Sequence, residues 1–250
     1  MMTKERDEFR LTIKGNKVRN LGYNPSIGVE RDNLVRIIVA VLDLEGFTNF
    51  FNKASPNQSI IVASYVNGFL SWLNHRLDLE GKRLPRPRLS KFLGDGVLYV
   101  WETEEGKTEQ IALDLINFCW NITRGGDRYE VDFLPQFISQ LGRRWDCEYP
   151  KHLKASISTG FAVKYTRRNH PPEYVSECIN IATRLCGVHP ELYFIAHSDL
   201  LLDAEITITF KYVEKQIEKE KVKGIDKSIA VFIDENEFNS LSDKTMFRDM

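Results

Sequence analysis

The amino-acid sequence predicts an α+β fold: a ferredoxin-like β-α-β-β-α-β core with an antiparallel-rich sheet and added C-terminal strands. Three patterns carry this prediction. A β-rich apolar run, VRIIVAVLDLEG (35–46), precedes a segment with helical spacing, and a hairpin pattern, RLSKFLGDGVLYVWE (88–102), follows that segment. A second amphipathic helix and another strand then complete the series, so we expect helices on one face of the sheet.

Each element of the first half has its own signal. The 35–46 run is apolar without alternation, which is typical of a central strand buried on both faces. The hairpin places apolar arms on both sides of a Gly-Asp-Gly turn, and its first arm could pair next to the 36–43 strand. In the segment between them, one apolar stripe has helical spacing: Val62, Val66, Phe69, Leu73 and Leu77.

The second half continues the pattern. KTEQIALDLINFCWNIT (107–123) predicts a helix that ends at Gly125-Gly126, and 153–166 predicts a strand. A helix over 173–188 and strands at ELYFIAHS and SIAVFIDE follow. We expect three regions: an N-terminal extension (1–34), a central domain (35–234) and a C-terminal tail (235–250).

Composition narrows the classes of function. A net charge of −1 and a pI near 6.5 over 250 residues show no bias toward nucleic acid or anionic membranes. No apolar run approaches the ~18 residues of a membrane span, and the charged N-terminus is not a secretory signal. Four cysteines without metal-ligand spacing indicate free thiols. We expect a cytoplasmic protein without nucleic-acid or membrane partners.

Two aspartates are candidate metal ligands. Asp43 closes the buried strand, where a carboxylate is costly unless it is paired or binds a metal. Asp95 lies at the hairpin tip, and pairing of the hairpin with this strand would bring it to Asp43. Such a pair suits Mg²⁺ or Mn²⁺ bound to a nucleoside triphosphate. The alternatives are a helix cap or solvated strand end for Asp43 and plain turn chemistry for Asp95.

The predicted helix over 173–188 supplies a second candidate group. At 100° per residue, Asn180 and Arg184 lie one above the other on a polar side with Glu177. The amide could position a sugar and the guanidinium could neutralise a phosphate, although an ordinary solvated face explains the same pattern. The expected buried side comprises Val175, Ile179, Ala182 and Cys186.

Arg167 and Arg168, on the polar loop before this helix, could hold a polyphosphate tail. A solvated basic loop is the alternative.

With these segments in order, residues from about Val35 to Asp234 resemble the catalytic domain of class III nucleotidyl cyclases. Four motifs carry the resemblance: Asp43-Leu44-Glu45-Gly46-Phe47-Thr48, then Lys91 before Gly94-Asp95, then Asn180 and Arg184 in NIATRL, and finally VKGIDKSIAVF with Lys223.

The resemblance implies a mechanism and an assembly. Two divalent metal ions, Mn²⁺ expected and Mg²⁺ the alternative, would bridge Asp43, Asp95 and the Leu44 carbonyl while the ribose 3′-hydroxyl attacks the α-phosphate. In this family, one chain supplies the aspartates and the other the lysine, asparagine and arginine, so a head-to-tail homodimer is implied. The implied phosphate and nucleotide contacts are Gly46, Phe47, Thr48, Lys91, Arg168 and Lys223.

The segment before Asn180 departs from the family pattern. Six positions separate Tyr174 from Asn180, where the family commonly has eight, so the base-reading position falls near Glu173. We therefore place Phe50, Glu173 and Tyr174 at the base pocket, and aromatic bulk at Phe50 and Phe51 could narrow the nucleotide site.

A short cyclase with the helix YVSECINIATRL resembles the pyrimidine cyclases of the bacterial anti-phage Pycsar system. That resemblance implies conversion of UTP to 3′,5′-cyclic UMP and diphosphate, with the product acting on a separate effector. Three alternatives remain open: an adenylate, guanylate or cytidylate cyclase, a non-catalytic cyclase-like binding module, and a polymerase-palm-like enzyme.

Overall fold

The computed structural model describes residues 34–54, 59–81, 83–104, 107–141, 148–166, 170–200, 208–218, 222, 224–225 and 227–250. Residues 1–33 of the expected N-terminal extension lie outside the described residues. So do Arg167, Arg168 and Lys223, named above, and one of the four cysteines, Cys147.

The described residues form nine strands and six α-helices. The strands are β1 (Leu34–Glu45), β2 (Leu89–Phe92), β3 (Gly96–Thr103), β4 (His152–Tyr165), β5 (Glu173–Val175), β6 (Phe194–His197), β7 (Tyr212–Ile217), β8 (Ile229–Asp234) and β9 (Phe247–Arg248). The helices are α1 (Phe47–Lys53), α2 (Ser59–Leu79), α3 (Thr108–Thr123), α4 (Phe133–Leu141), α5 (Glu177–Cys186) and α6 (Glu235–Ser240).

One sheet contains all these strands in the order β2-β3-β1-β4-β6-β8-β7-β9, with β5 paired to β4. Its first four strands are antiparallel neighbours, as the predicted ferredoxin-like core requires, whereas β4 and β6 are parallel. The hairpin prediction was wrong in one respect, because the second arm, β3, pairs with β1. The physical reason is burial: β3 is apolar and buried over Gly96–Trp101, while β2 is short and mostly exposed at the edge.

The central strand is buried on both faces, as predicted. Ile38, Ala40 and Leu42 enter the large core beneath α2, α3 and α4. Ile37 and Val39 enter a smaller core that α5 covers from the opposite face. The helices therefore cover both faces of the sheet, and the expectation of one helical face holds only for the β-α-β-β-α-β core.

Small residues let α5 approach the sheet closely. A Cβ on Gly160 of β4 would lie 3.2 Å from the Cβ of Cys178. The hydroxyl of Ser156, also on β4, donates a hydrogen bond of 2.6 Å to the Ala182 carbonyl. These contacts fix the position of the helix that carries Asn180 and Arg184.

The predicted helix at 173–188 begins later than expected. Glu173–Val175 pairs with β4 as β5, and Ser176 then caps α5 by accepting a hydrogen bond from the Cys178 amide. The late start shifts the buried face, so Val175 is 63% exposed. Ala182 and Cys186 are buried as predicted, together with Cys178, Ile181 and Leu185.

The C-terminal residues pack onto the sheet. Asp234 caps α6, and β9 pairs with β7. The three region boundaries expected from the sequence remain predictions. Three of the cysteines, Cys119, Cys178 and Cys186, are buried free thiols. Among the described residues, no helix has the length and apolarity that would let it span a membrane.

Candidate active site

Asp43 and Asp95 meet at one end of the sheet. In the β1–β3 register Asp43 lies opposite Gly96, and the Leu44 amide donates a hydrogen bond of 2.9 Å to the Asp95 carbonyl. Gly94, with φ of 101°, allows the turn. A Cβ on Gly96 would lie 2.2 Å from the Leu42 carbonyl oxygen, so this close approach needs a glycine.

The negative charge of Asp95 disfavours the ionised form of Asp43. Burial, and then the nearby Asp95, raise the pKa of Asp43 to about 6, while Lys154 lowers it. A divalent cation would relieve this repulsion, and carboxylate oxygens are the ligands that Mg²⁺ and Mn²⁺ prefer. The donor set therefore fits such a cation.

The two aspartates would fill only part of the coordination sphere of a bound cation. Within the described part of the chain, no group of three or more His, Cys, Asp or Glu side chains could hold a metal. Two aspartates leave coordination positions for water and substrate oxygens. Leu44 is 2% exposed, with its side chain in the large core, so only its backbone borders the pair.

Beyond Asp43 the chain turns sharply into α1. Gly46 has φ of 84°, in the left-handed region, and α1 begins at Phe47 without a side-chain cap. Phe47 is buried and Thr48 is exposed. The predicted phosphate contacts therefore lie directly after the Asp43 strand, while Arg168 and Lys223 fall outside the described residues.

A cavity of about 580 Å³ adjoins Asp95. Its lining is largely aromatic and apolar and includes Phe47, Thr48, Phe51, Phe92, Leu93 and Asp95. Of the two aromatic residues expected to narrow the nucleotide site, Phe51 faces this cavity and is 59% exposed. Phe50 is 1% exposed, and its ring centroid lies 5.1 Å from that of Tyr65 in the core.

The remaining candidates on β2 and β5 differ in exposure. Lys91 is exposed on β2 and Glu173 is exposed on β5. Tyr174 is 8% exposed and donates a hydrogen bond of 2.5 Å to Glu102. Its hydroxyl is therefore engaged with Glu102, and Glu173 is the exposed member of the predicted base-pocket residues Phe50, Glu173 and Tyr174.

Asn180 and Arg184 are both exposed on α5. Among the residues that the structure describes, no hydrogen bond or ion pair joins either of them to the two aspartates. One chain thus presents two separate groups, the aspartates and the Asn180–Arg184 face.

Lys154 was not among the site residues predicted from the sequence. This lysine lies on β4 directly opposite Asp43 and is 7% exposed. The one available signal was a lone charged residue at the start of an otherwise uncharged strand segment, LKASISTGF.

No family model and no curated protein matches this sequence. Solved structures do match. The adenylyl cyclase CyaB from P. aeruginosa aligns with a TM-score of 0.55 and 14% identity over 85% of this chain and 97% of that one.

The guanylyl cyclase Cya2 gives a TM-score of 0.52 at 15% identity, over 80% and 92% of the two chains. A bacterial light-regulated adenylyl cyclase gives 0.54 at 15% identity, and the alignment covers 82% of this chain and 53% of that longer chain.

The chain has the class III cyclase fold. This confirms the predicted α+β fold class, with a mostly antiparallel sheet and helices. At such low identity the likeness lies in the fold, and activity has to be argued from the site.

Proposed function

We propose that the protein is a metal-dependent nucleotidyl cyclase, which converts a nucleoside triphosphate to its 3′,5′-cyclic monophosphate and diphosphate. The observation that supports this most strongly is the convergence of Asp43 and Asp95 at the end of β1, held there by the Leu44–Asp95 backbone hydrogen bond.

The reaction needs little covalent chemistry from the protein. The ribose 3′-oxygen bonds to the α-phosphorus as the bond to the diphosphate oxygen breaks, and the hydroxyl proton leaves to solvent. Divalent cations, when bound, would supply the Lewis acidity that activates the hydroxyl and stabilises the phosphate charge. Asp43 and Asp95 would hold those cations, with the Leu44 carbonyl beside them.

Asn180 and Arg184 would act from a second copy of the chain. Their exposure on α5, apart from the aspartates of the same chain, supports a head-to-tail homodimer in which each site takes one group from each chain. Asn180 would orient the ribose, and Arg184 would stabilise charge on the α-phosphate. Lys91 would face the nucleotide from the same partner, while Thr48, Arg168 and Lys223 would contact phosphates.

We favour UTP as the substrate, with cyclic UMP as a second messenger for a separate anti-phage effector. The resemblance of YVSECINIATRL to pyrimidine cyclases supports this choice. Phe51, rather than Phe50, is the aromatic side chain that would narrow the nucleotide site, because it lines the cavity beside Asp95. Glu173 is the exposed base-pocket candidate.

A purine cyclase is the second candidate, because the matching solved structures include adenylyl and guanylyl cyclases. Incubation of the purified protein with ATP, GTP, CTP and UTP separately, with Mn²⁺ or Mg²⁺, distinguishes the two. We expect cyclic UMP as the main product. Exclusive cyclisation of ATP or GTP would overturn the pyrimidine assignment, and absence of any cyclic product would overturn the proposed activity.

A further inference from the structure

We propose that Lys154 is a positioning residue of the candidate site. Its buried ammonium balances the charge of the Asp43–Asp95 pair and ties the loop after α5 to the end of β1. This inference rests on the proposed function for its catalytic meaning, although its structural part can be tested without metal or substrate.

The sheet places Lys154 beside the acidic groups. Lys154 and Asp43 are direct partners in the antiparallel β1–β4 register, so their side chains leave the same face. The Lys154 ammonium lies 3.7 Å from a carboxylate oxygen of Glu45, which follows two residues later. The Lys154 side chain therefore lies beside the strand end that carries Asp43.

The same ammonium holds the loop that follows α5. It donates hydrogen bonds to the carbonyls of Pro190, at 2.7 Å, and His189, at 3.4 Å. The negative end of the α5 dipole is nearby, where a cation is favourable. One lysine thus joins the helix that presents Arg184 to the strand that presents Asp43.

Cys186, at the end of α5, reports how close these charges are. Its thiol is buried, and burial followed by the charge of Asp43 raises its pKa to about 12. Lys154 lowers the same pKa and Asp95 raises it. The charges of Asp43, Asp95 and Lys154 all act on this one thiol, in agreement with the neighbouring positions that the strand registers give these residues.

The charge around this point is unbalanced without Lys154. Asp43 and Glu45 lie two residues apart on β1, and both Asp95 and Glu45 raise the pKa of Asp43. The side chain of Lys154 is 8% exposed, and such burial of an ammonium is costly unless opposite charges and acceptors surround it. A lysine at this position offsets the negative charge of the acidic pair before a cation arrives.

A double-mutant cycle in metal-free buffer tests the charge balance. Lys154→Met should lower the melting temperature in the wild-type background, and Asp95→Asn should remove at least half of that loss because less negative charge remains. Lys164→Met is the matched control, since Lys164 lies near the other end of β4 and pairs with Glu102 at 2.7 Å. Lys164→Met should change the melting temperature by the same amount in the wild-type and the Asp95→Asn backgrounds.

Equal losses for Lys154→Met in the two backgrounds would overturn the proposal. If Lys154→Met does not fold, Lys154→Gln replaces it in the same cycle, because its amide retains a donor but carries no charge. Lys154→Arg should restore most of the stability, since it restores the charge, and failure of that rescue also counts against the proposal.

The rise in melting temperature on adding Mn²⁺ is a second measurement. Substitution of Lys154 would not change this rise if the role of the lysine were purely structural. The rise in melting temperature on adding Mn²⁺ should be larger for Lys154→Met than for the wild type, because the cation supplies the missing charge. An unchanged rise would contradict the proposal. If the wild type shows neither a Mn²⁺ response nor a cyclic product, the proposed function fails, while the metal-free cycle still decides the role of Lys154.

Discussion

The backbone amide of Leu44 donates a 2.9 Å hydrogen bond to the backbone carbonyl of Asp95. The end of β1 and the tip of the β2–β3 hairpin are therefore joined through main-chain atoms. The two carboxylates are held together by this link and by the β1–β3 register, and they repel one another within it. The position of the pair is thus independent of its charge, which makes the charge open to substitution.

Asp43→Asn and Asp95→Asn should each abolish cyclisation, because the remaining carboxylate cannot hold the cations alone. Both variants should fold, and their metal-free melting temperatures should equal or exceed that of the wild type, because repulsion is removed. Product formation and thermal unfolding in chelator measure the two effects. Asp78→Asn, which loses only the surface pair with Arg86, is the control that should remain active. Retained activity in either site variant would refute the assignment.

Gly96→Ala should displace the hairpin tip, because its Cβ would lie 2.2 Å from the Leu42 carbonyl oxygen. We expect a loss of about 1–3 kcal/mol in the free energy of unfolding, typical of overpacking. A larger fractional loss of activity should follow, because Asp95 moves with the tip. Gly126→Ala is the control, since a Cβ there meets nothing within 4 Å. An active, fully stable Gly96→Ala protein would contradict the geometry of the pair.

Two inactive chains should complement each other if the site is shared. Asp43→Ala lacks the metal group and Arg184→Ala lacks the phosphate group, so a mixed dimer contains one complete site. We expect up to about a quarter of the wild-type activity after equal mixing, because half of random dimers are mixed and each has one site of two. Asp43→Ala mixed with Asp95→Ala should give none. No recovery despite demonstrated subunit exchange would argue against a shared site.

Glu237 should make stability depend on pH. It is 1% exposed; one of its oxygens accepts from the Tyr193 amide, and Arg124 lies 4.0 Å from that oxygen. Burial raises its pKa from 4.5 to about 7. Between these values the native state keeps a proton that the unfolded chain has released, so the contribution of Glu237 to stability falls as pH rises through this window.

We therefore compare the free energy of unfolding of Glu237→Gln with that of the wild type at two pH values. Between pH about 5 and pH about 8, the difference should shift in favour of the variant by roughly 1–3 kcal/mol. Chemical unfolding at the two pH values measures the difference. Glu109→Gln, an exposed substitution in α3, should show no such dependence. A difference between Glu237→Gln and the wild type that does not change with pH would show that Glu237 has an ordinary pKa.

Much of the core could be predicted from sequence because its signals are local. The unbroken apolar run of β1 indicated two-sided burial, and the Gly94-Asp95-Gly96 turn indicated the hairpin. Which hairpin arm lies beside β1 depends on how much apolar surface each arm buries in three dimensions. Turn chemistry does not contain that information, so the arm was chosen wrongly.

The first residue of α5 was harder to predict, because it also depends on a contact between segments that are distant in the sequence. The pairing of Glu173–Val175 with β4 competes with helix formation, and it moves the helix start to Ser176. The roles of the site residues were inferred from motif order, which does not reveal a buried cation such as Lys154. Its significance comes from a cross-strand neighbour more than a hundred positions away, Asp43.

The two-sided burial of β1 has a consequence for how this protein can change over evolution. Its interior side chains belong to two cores and cannot vary freely without loss of stability. Lys91, Glu173 and Phe51 lie exposed, outside that constraint. Because these exposed residues are the ones proposed to contact the nucleotide, we predict that substitutions there alter nucleobase preference while the scaffold stays intact.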